Sequence, residues 1–222
     1  MIYKIATLLS LFFVATEITA CIEMKNSGVS GDAASAQDIF QQSTVGSWEN
    51  NCYSTGAGEY ERDSITFSAD SYTYTSTEQQ WAGDPSCTPG GKTSQIDTTY
   101  QYAASLVSST GLVKVYSVAL TIMSGGTTFY GAGPTLDANL GSICGLTDWV
   151  NGVFMSWFVS GENCVAAFGF TVQPKLGMIH YTHEKIDTST TPPSIVGGND
   201  PFPNVNPNSL SSTFSSNLLY LQ

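Results

Sequence analysis

Positive charge is what this sequence has least of. Seven lysines and arginines stand against eighteen aspartates and glutamates in 222 residues, for a net charge of −11. Arg62 is the sole arginine, and Lys25, Lys92, Lys114, Lys175 and Lys185 are scattered. With no basic stripe to neutralise phosphates, nucleic acid is excluded as a partner. Long apolar runs are missing too: residues 5–14 fall short of the roughly 20 residues a membrane-spanning helix needs. No C-x-x-C pair offers a zinc site, and no G-x-S-x-G elbow or phosphate loop occurs. There is no internal repeat and no Asn-x-Ser/Thr acceptor, the latter favouring a bacterial over a eukaryotic secreted protein. No cofactor and no catalytic residue set is expected.

What is present begins at the N-terminus. Lys4, a short apolar segment and Ile18-Thr19-Ala20-Cys21 have the form of a secretory signal. Its ending on cysteine resembles the lipobox of bacterial lipoproteins. That resemblance implies removal of residues 1–20, acylation of Cys21 and a place in the cell envelope. The membrane partner would be held by the acyl chains, each buried methylene contributing about 0.8 kcal/mol. Ile22, where an aspartate would retain some lipoproteins in the inner membrane, favours the outer membrane. The other reading is an ordinary signal cut nearby, which leaves Cys21 a free thiol.

Four cysteines then remain, an even count suited to an oxidising compartment. Of three pairings, Cys52–Cys87 and Cys144–Cys164 join nearest partners in separate halves. Only 11% of residues are charged, and Ser, Thr, Gly, Tyr and Asn fill the polar positions, which suits β-structure. Residues 21–43 read as a lipidated N-terminus and flexible tether, ending in a short helix over 34–43. Strands are expected over 48–53, 60–67, 72–80, 96–106, 112–123, 127–130, 153–159, 164–172 and 178–184. Turn compositions separate them, including a glycine-rich turn after Met123. Gly56-Ala57-Gly58 and Gly131-Ala132-Gly133 are read as turns with no helix following. Residues 44–187 form the domain, and the Pro/Ser/Asn-rich stretch 188–222 packs on it, residues 218–221 docking back. Sequential hairpins favour an up-and-down barrel or a sandwich.

Gly46-Ser47-Trp48 at the first strand and Thr147-Asp148-Trp149 about a hundred residues later resemble the first two lipocalin motifs. The third motif, a late arginine, and the C-terminal helix are missing. More closely, Gly46-Ser47-Trp48-x3-Cys52, Ile65-Thr66-Phe67, Asp84 to Thr88, Cys144 to Trp149, and Cys164 resemble uncharacterised bacterial lipoproteins with a lipocalin-like domain. The first half is also similar to the barrel domain of a Wnt inhibitor family down-regulated by adenomatosis polyposis coli. The resemblance implies an all-β, lipocalin-like antiparallel up-and-down β-barrel of about 8–10 strands with two disulfides. In it Trp48 closes one end.

His180-Tyr181-Thr182-His183-Glu184 is the one cluster with catalytic flavour, but on a strand its two histidines point to opposite faces. Asp148 and Glu162 could pair as glycosidase carboxylates, though Asp148 fits a turn cap better. Asn199-Asp200 and Asn204 to Asn208 offer oxygens for calcium, but the prolines among them read as a plain loop. Tyr72, Tyr74, Trp81, Tyr100, Tyr102, Tyr116, Phe129 and Trp157 either fill the core or line a cavity. The expectation is an envelope-anchored, non-enzymatic binding module for a small amphipathic or hydrophobic ligand, contacted by Tyr72, Tyr74, Trp81, Tyr102 and Tyr116. The alternatives are a filled barrel binding an envelope or foreign protein through its loops, such as 81–92 or the tail, and a hydrolase.

Overall fold

A computed structural model describes residues 33–69, 71–158, 174–200 and 204–222, with side chains from Ala36 onward. The signal segment, Cys21, the expected strand 164–172 and Cys164 lie outside the described residues. Helix α1 (Ala33–Thr44) covers the stretch read as helical and leads directly into β1 (Gly46–Glu49). The expected strand 48–53 is broken at residues 50–52, so that β2 (Tyr53–Gly56) is separate. Then come β3 (Glu59–Phe67), β4 (Thr73–Ala82), β5 (Lys92–Thr110), β6 (Val113–Phe129), α2 (Ala132–Leu140) and β7 (Met155–Ser156). The chain finishes with β8 (Ile179–Asp187), β9 (Ser194–Gly197) and β10 (Leu219–Leu221).

Every pairing is antiparallel, and the order β1-β10-β9-β8-β6-β5-β4-β3 closes because β1 also pairs with β3. Eight strands thus form a hydrogen-bonded ring, with β2 extending the β3 edge and β7 added to β6. Alternation decides the two faces. Along β8, His180, Thr182, Glu184 and Ile186 are buried and their neighbours half-buried. Tyr100, Tyr102 and Ala104 of β5 sit on the same inward side as Tyr116, Val118, Leu120 and Ile122 of β6. The tail of the chain supplies β9 and β10, whose Ile195 and Leu219 join this core.

Two expectations are corrected here. The glycine-rich turn after Met123 does not exist: Gly125 and Gly126 lie inside β6. They are small because rings press on the strand. A Cβ on Gly125 would sit 2.8 Å from the Trp157 ring, and one on Gly126 2.5 Å from Phe154. A register shift between Thr99 and Tyr100 of β5 gives β6 an extra residue there, bending the strand. Second, a helix does follow Gly131-Ala132-Gly133. Pro134 stands in the first turn of α2, where no backbone donor is missed.

Cys52–Cys87 forms as expected, with Cα atoms 5.7 Å apart. It is the one disulfide among the described residues, where two were expected; the second pairing involves Cys164.

Candidate functional site

The ring has two unlike ends. At the end where β3 turns into β4, α1 lies across the opening. Phe40 is fully buried there, with ring centroids 5.8 Å from Phe67, 5.3 Å from Tyr102 and 4.9 Å from Tyr116. Trp48 is also fully buried, and its Nε1 donates to Thr44 O at 2.6 Å, fastening α1 to β1. Gln41 Nε2 donates to Ala69 O at 3.1 Å across the β3–β4 turn.

Of the five expected ligand contacts, four meet at this end. Tyr74 and Tyr102 are buried with ring centroids 6.2 Å apart, Tyr116 is buried against Phe40, and Tyr72 stacks edge-on with Tyr102 at 6.0 Å. Tyr72 is partly exposed, and its hydroxyl donates to Asp38 at 2.8 Å. Trp81 is elsewhere. It is buried with its Nε1 donating to Thr88 O at 2.7 Å, beside the disulfide loop and under Arg62. That loop is itself pinned, because Asp84 accepts hydrogen bonds from the Ser86 and Thr88 amides.

Within this aromatic core three polar atoms are buried with no hydrogen-bond partner among the described residues: Tyr102 Oη, Tyr116 Oη and Glu184 Oε2. Glu184 faces Tyr116 across β6–β8, and burial, then Asp200, pushes its carboxyl up to about 8. His180 is on the same row; burial pulls it down to about 4, and its Nδ1 accepts the Asn204 amide at 2.8 Å. It is therefore neutral at ordinary pH. His183 faces the other way and contacts Ser211 O at 3.0 Å. The two histidines part, as strand geometry requires. Asp200 Oδ1 accepts the Ser211 amide at 2.7 Å, so the tail loop is held by its own hydrogen bonds.

Toward the opposite end the inward rows of β3 and β4 turn acidic. Ile65, Asp63 and Glu61 continue the Phe67 row; Ser76, Glu78 and Gln80 continue the Tyr74 row. Register sets Asp63 against Glu78 and Glu61 against Gln80, and all three carboxylates place an oxygen within 4.8 Å of the others. Tyr53 donates to Glu61 and, at 3.0 Å, to Asp63 Oδ2. Asn50 Nδ2 donates to the same oxygen at 2.8 Å while its Oδ1 accepts the Asp63 amide. Gln80 Nε2 donates to Glu78 at 2.8 Å. Burial, then the charge of Glu78, pushes Glu61 up to about 8. Burial also raises Asp63 and Glu78, and Tyr53 is raised by burial and by its bond to Glu61. Like charges this close cannot all ionise.

A recess of about 210 Å³ opens beside this cluster, lined by Asn50, Asn51, Tyr53, Ser216, Asn217, Leu218 and Tyr220. A second, about 420 Å³, runs along the outer β1–β10 seam past Glu49, Arg62 and Gln222. Neither is lined by the five expected contact residues. The acidic cluster was not singled out from the sequence. The i, i+2 spacing of Glu61 and Asp63 was a readable signal that they share a face, but the facing Glu78 depends on the β3–β4 register.

No protein-family model matches this sequence, and no curated protein matches it.

Proposed function

We propose that the protein is an envelope-anchored, non-enzymatic binding module built on a small lipocalin-like barrel. Its ligand sits at the acidic end of the ring rather than among the aromatics. The observation that carries this reading is the pairing of a recess with half-buried, mutually crowded acids. Asn50 and Tyr53 line the recess and also hold the carboxylates of Asp63 and Glu61. Acids kept protonated by burial exchange those protons for a cation at little cost, because the incoming charge replaces the missing one. The ligand class is a small amphipathic cation, its ammonium facing Glu61, Asp63 and Glu78 and its apolar part against Leu218 and the Tyr53 and Tyr220 rings. The eight-strand closure and the Gly46-Ser47-Trp48 start support the barrel; the Cys21 signal supports the anchor.

Calorimetric titration of the purified chain with hexylammonium near pH 7 tests this. Binding with proton release, lost in Glu78→Gln, is the expected outcome. No heat from hexylammonium, with calcium giving none either, would overturn the reading in favour of a filled ring whose surface does the work. One observation favours that second reading: Leu136, Leu140, Val150, Val153 and Phe154, on α2 and the loop it grips, are all exposed. The 81–92 loop, also expected to serve there, is held in shape by Asp84.

A further inference from the structure

The β5–β6 hairpin runs well past β4, while β8 follows β6 up to Val113 opposite Asp187, and Thr188 N donates to Leu112 O at 3.1 Å. The last link of β4 to β5 pairs Thr73 with Gln101, and Tyr102 N donates to Tyr72 O at 2.8 Å. Among the described residues β5 pairs beyond that point with β6 alone, up to Thr110 opposite Val113. Every residue of the tip, 106–112, is exposed, and three of its seven are large aliphatics: Leu106 at 43%, Val107 at 53% and Leu112 at 58%. Ile39 of α1 is exposed at the same end, at 41%. Soluble hairpin tips carry Asn, Asp and Gly, not a cluster of this kind.

Charge sharpens the contrast. The chain carries eighteen acids, yet nothing from Thr98 to Val113 is charged. The charged residues nearest the tip are Lys114, Asp187 opposite Val113, and Asp38 of α1, which accepts from the Tyr72 hydroxyl. An uncharged, aliphatic tip can approach an anionic lipid surface without repulsion or desolvated charge.

Chain length selects the occupant. The first half of α1 lies over β5, where Gln37 Nε2 reaches Tyr102 O at 3.5 Å. The chain therefore enters the ring at the hairpin end. Ala33 is twelve residues after Cys21, a separation that spans about 40 Å even fully extended. An acylated Cys21 would tether the ring by this end.

We propose that the tip 106–112 docks into the lipid surface that holds the Cys21 anchor, so that the ring stands on its α1 end with the acidic recess facing away. The proposal rests on the anchored reading of Cys21. Leu106, Val107 and Leu112 enter the headgroup–acyl boundary, while the Ser108-Ser109-Thr110 hydroxyls and the unpaired β5 edge remain among headgroups and water. The tip thus sets orientation, and the acyl chains set retention.

The test is tryptophan quenching by brominated acyl chains. The acylated full chain is reconstituted in vesicles of phosphatidylethanolamine and phosphatidylglycerol, as Val107→Trp and, in parallel, Leu112→Trp. Ser54→Trp, exposed at the far end, is the reference, and the wild type gives the background of its buried tryptophans. The expected result is a blue shift and loss of the added emission for the two tip variants and none for Ser54→Trp. If the chain floats with vesicles but the tip variants stay unquenched, tip docking is overturned, the anchor stands, and the exposed tip is left for a protein partner. Equal quenching at both ends also overturns it. If the chain does not float with vesicles at all, the anchored reading falls, and this proposal with it.

Discussion

At the scale of single residues, glycine and phenylalanine carry the tightest requirements. Gly125 has a wall of indole where its side chain would be. Gly133 of α2 has open space around it and no unusual backbone angle. Gly125→Ala should therefore cost about 1–3 kcal/mol through overpacking. Gly133→Ala should gain about 0.5 kcal/mol from reduced backbone entropy in the unfolded chain. Urea midpoints of the two variants check this; equal midpoints would remove the Trp157 contact as the reason for glycine. Phe40→Ala, which empties the junction of Phe67, Tyr102 and Tyr116, should cost about 3–5 kcal/mol. In sequence, glycine signals both a turn and a close approach, and Gly125-Gly126 carries the same pattern for either. The distinction needs Trp157, which lies far along the chain, beyond α2.

At the scale of elements, hairpins were readable and their ends were not. β3, β4 and β8 fall within a few residues of the expected spans because their alternation is regular. β5 and β6 run much longer than expected, because pairing with each other carries both through uncharged sequence with little alternation. The short strands β9 and β10 sit in sequence whose Pro, Ser and Asn content reads as loop. Only neighbours recruit them, Ile186 opposite Ile195 and Trp48 opposite Leu221. The element most dependent on a covalent tie is the segment from β2 to the loop after β4, closed by Cys52–Cys87 over 35 residues. Loop entropy gives that bridge about 4 kcal/mol. Cys52→Ala with Cys87→Ala should lower the unfolding free energy by roughly that amount while leaving the Phe40 end packed. Denaturant titration with near-ultraviolet dichroism measures both.

At the scale of the whole molecule, buried acids govern the response to pH. Glu184 and Glu61 hold their protons to about pH 8 in the folded chain, against an ordinary value near 4.5. Between those values the unfolded chain releases protons that the folded chain keeps, so stability falls as pH rises. Glu184, fully enclosed, supplies a slope on the order of 1 kcal/mol per pH unit; Glu61 adds less because water screens it. His180 acts oppositely. With its folded value near 4 against 6.5, its contribution is present above pH 6.5 and is lost as pH falls toward 4. The carboxyls outnumber it, so maximum stability should lie at about pH 4–5, well on the acid side of neutral. Thermal midpoints across pH 4 to 9 check this, and Glu184→Gln should flatten the alkaline limb. A chain most stable near pH 8 would contradict the neutral state of these acids.

The sequence by itself determined the class of structure and its chemistry. Alternating Tyr and Thr runs dictate antiparallel strands, and the spacing of Cys52 and Cys87 permits a local bridge. Trp48 was readable as an inward residue near the start of the ring. Tertiary structure alone decided what faces what. It put four of the five chosen aromatics together at the helix end and sent Trp81 to the outside of the disulfide loop. It also set Glu78 against Asp63 and turned a proline-rich tail into two strands of the ring. The reason is that inward or outward follows from local alternation, whereas the partner across a strand follows from register. Register is fixed by turns, bulges and closure over the whole chain.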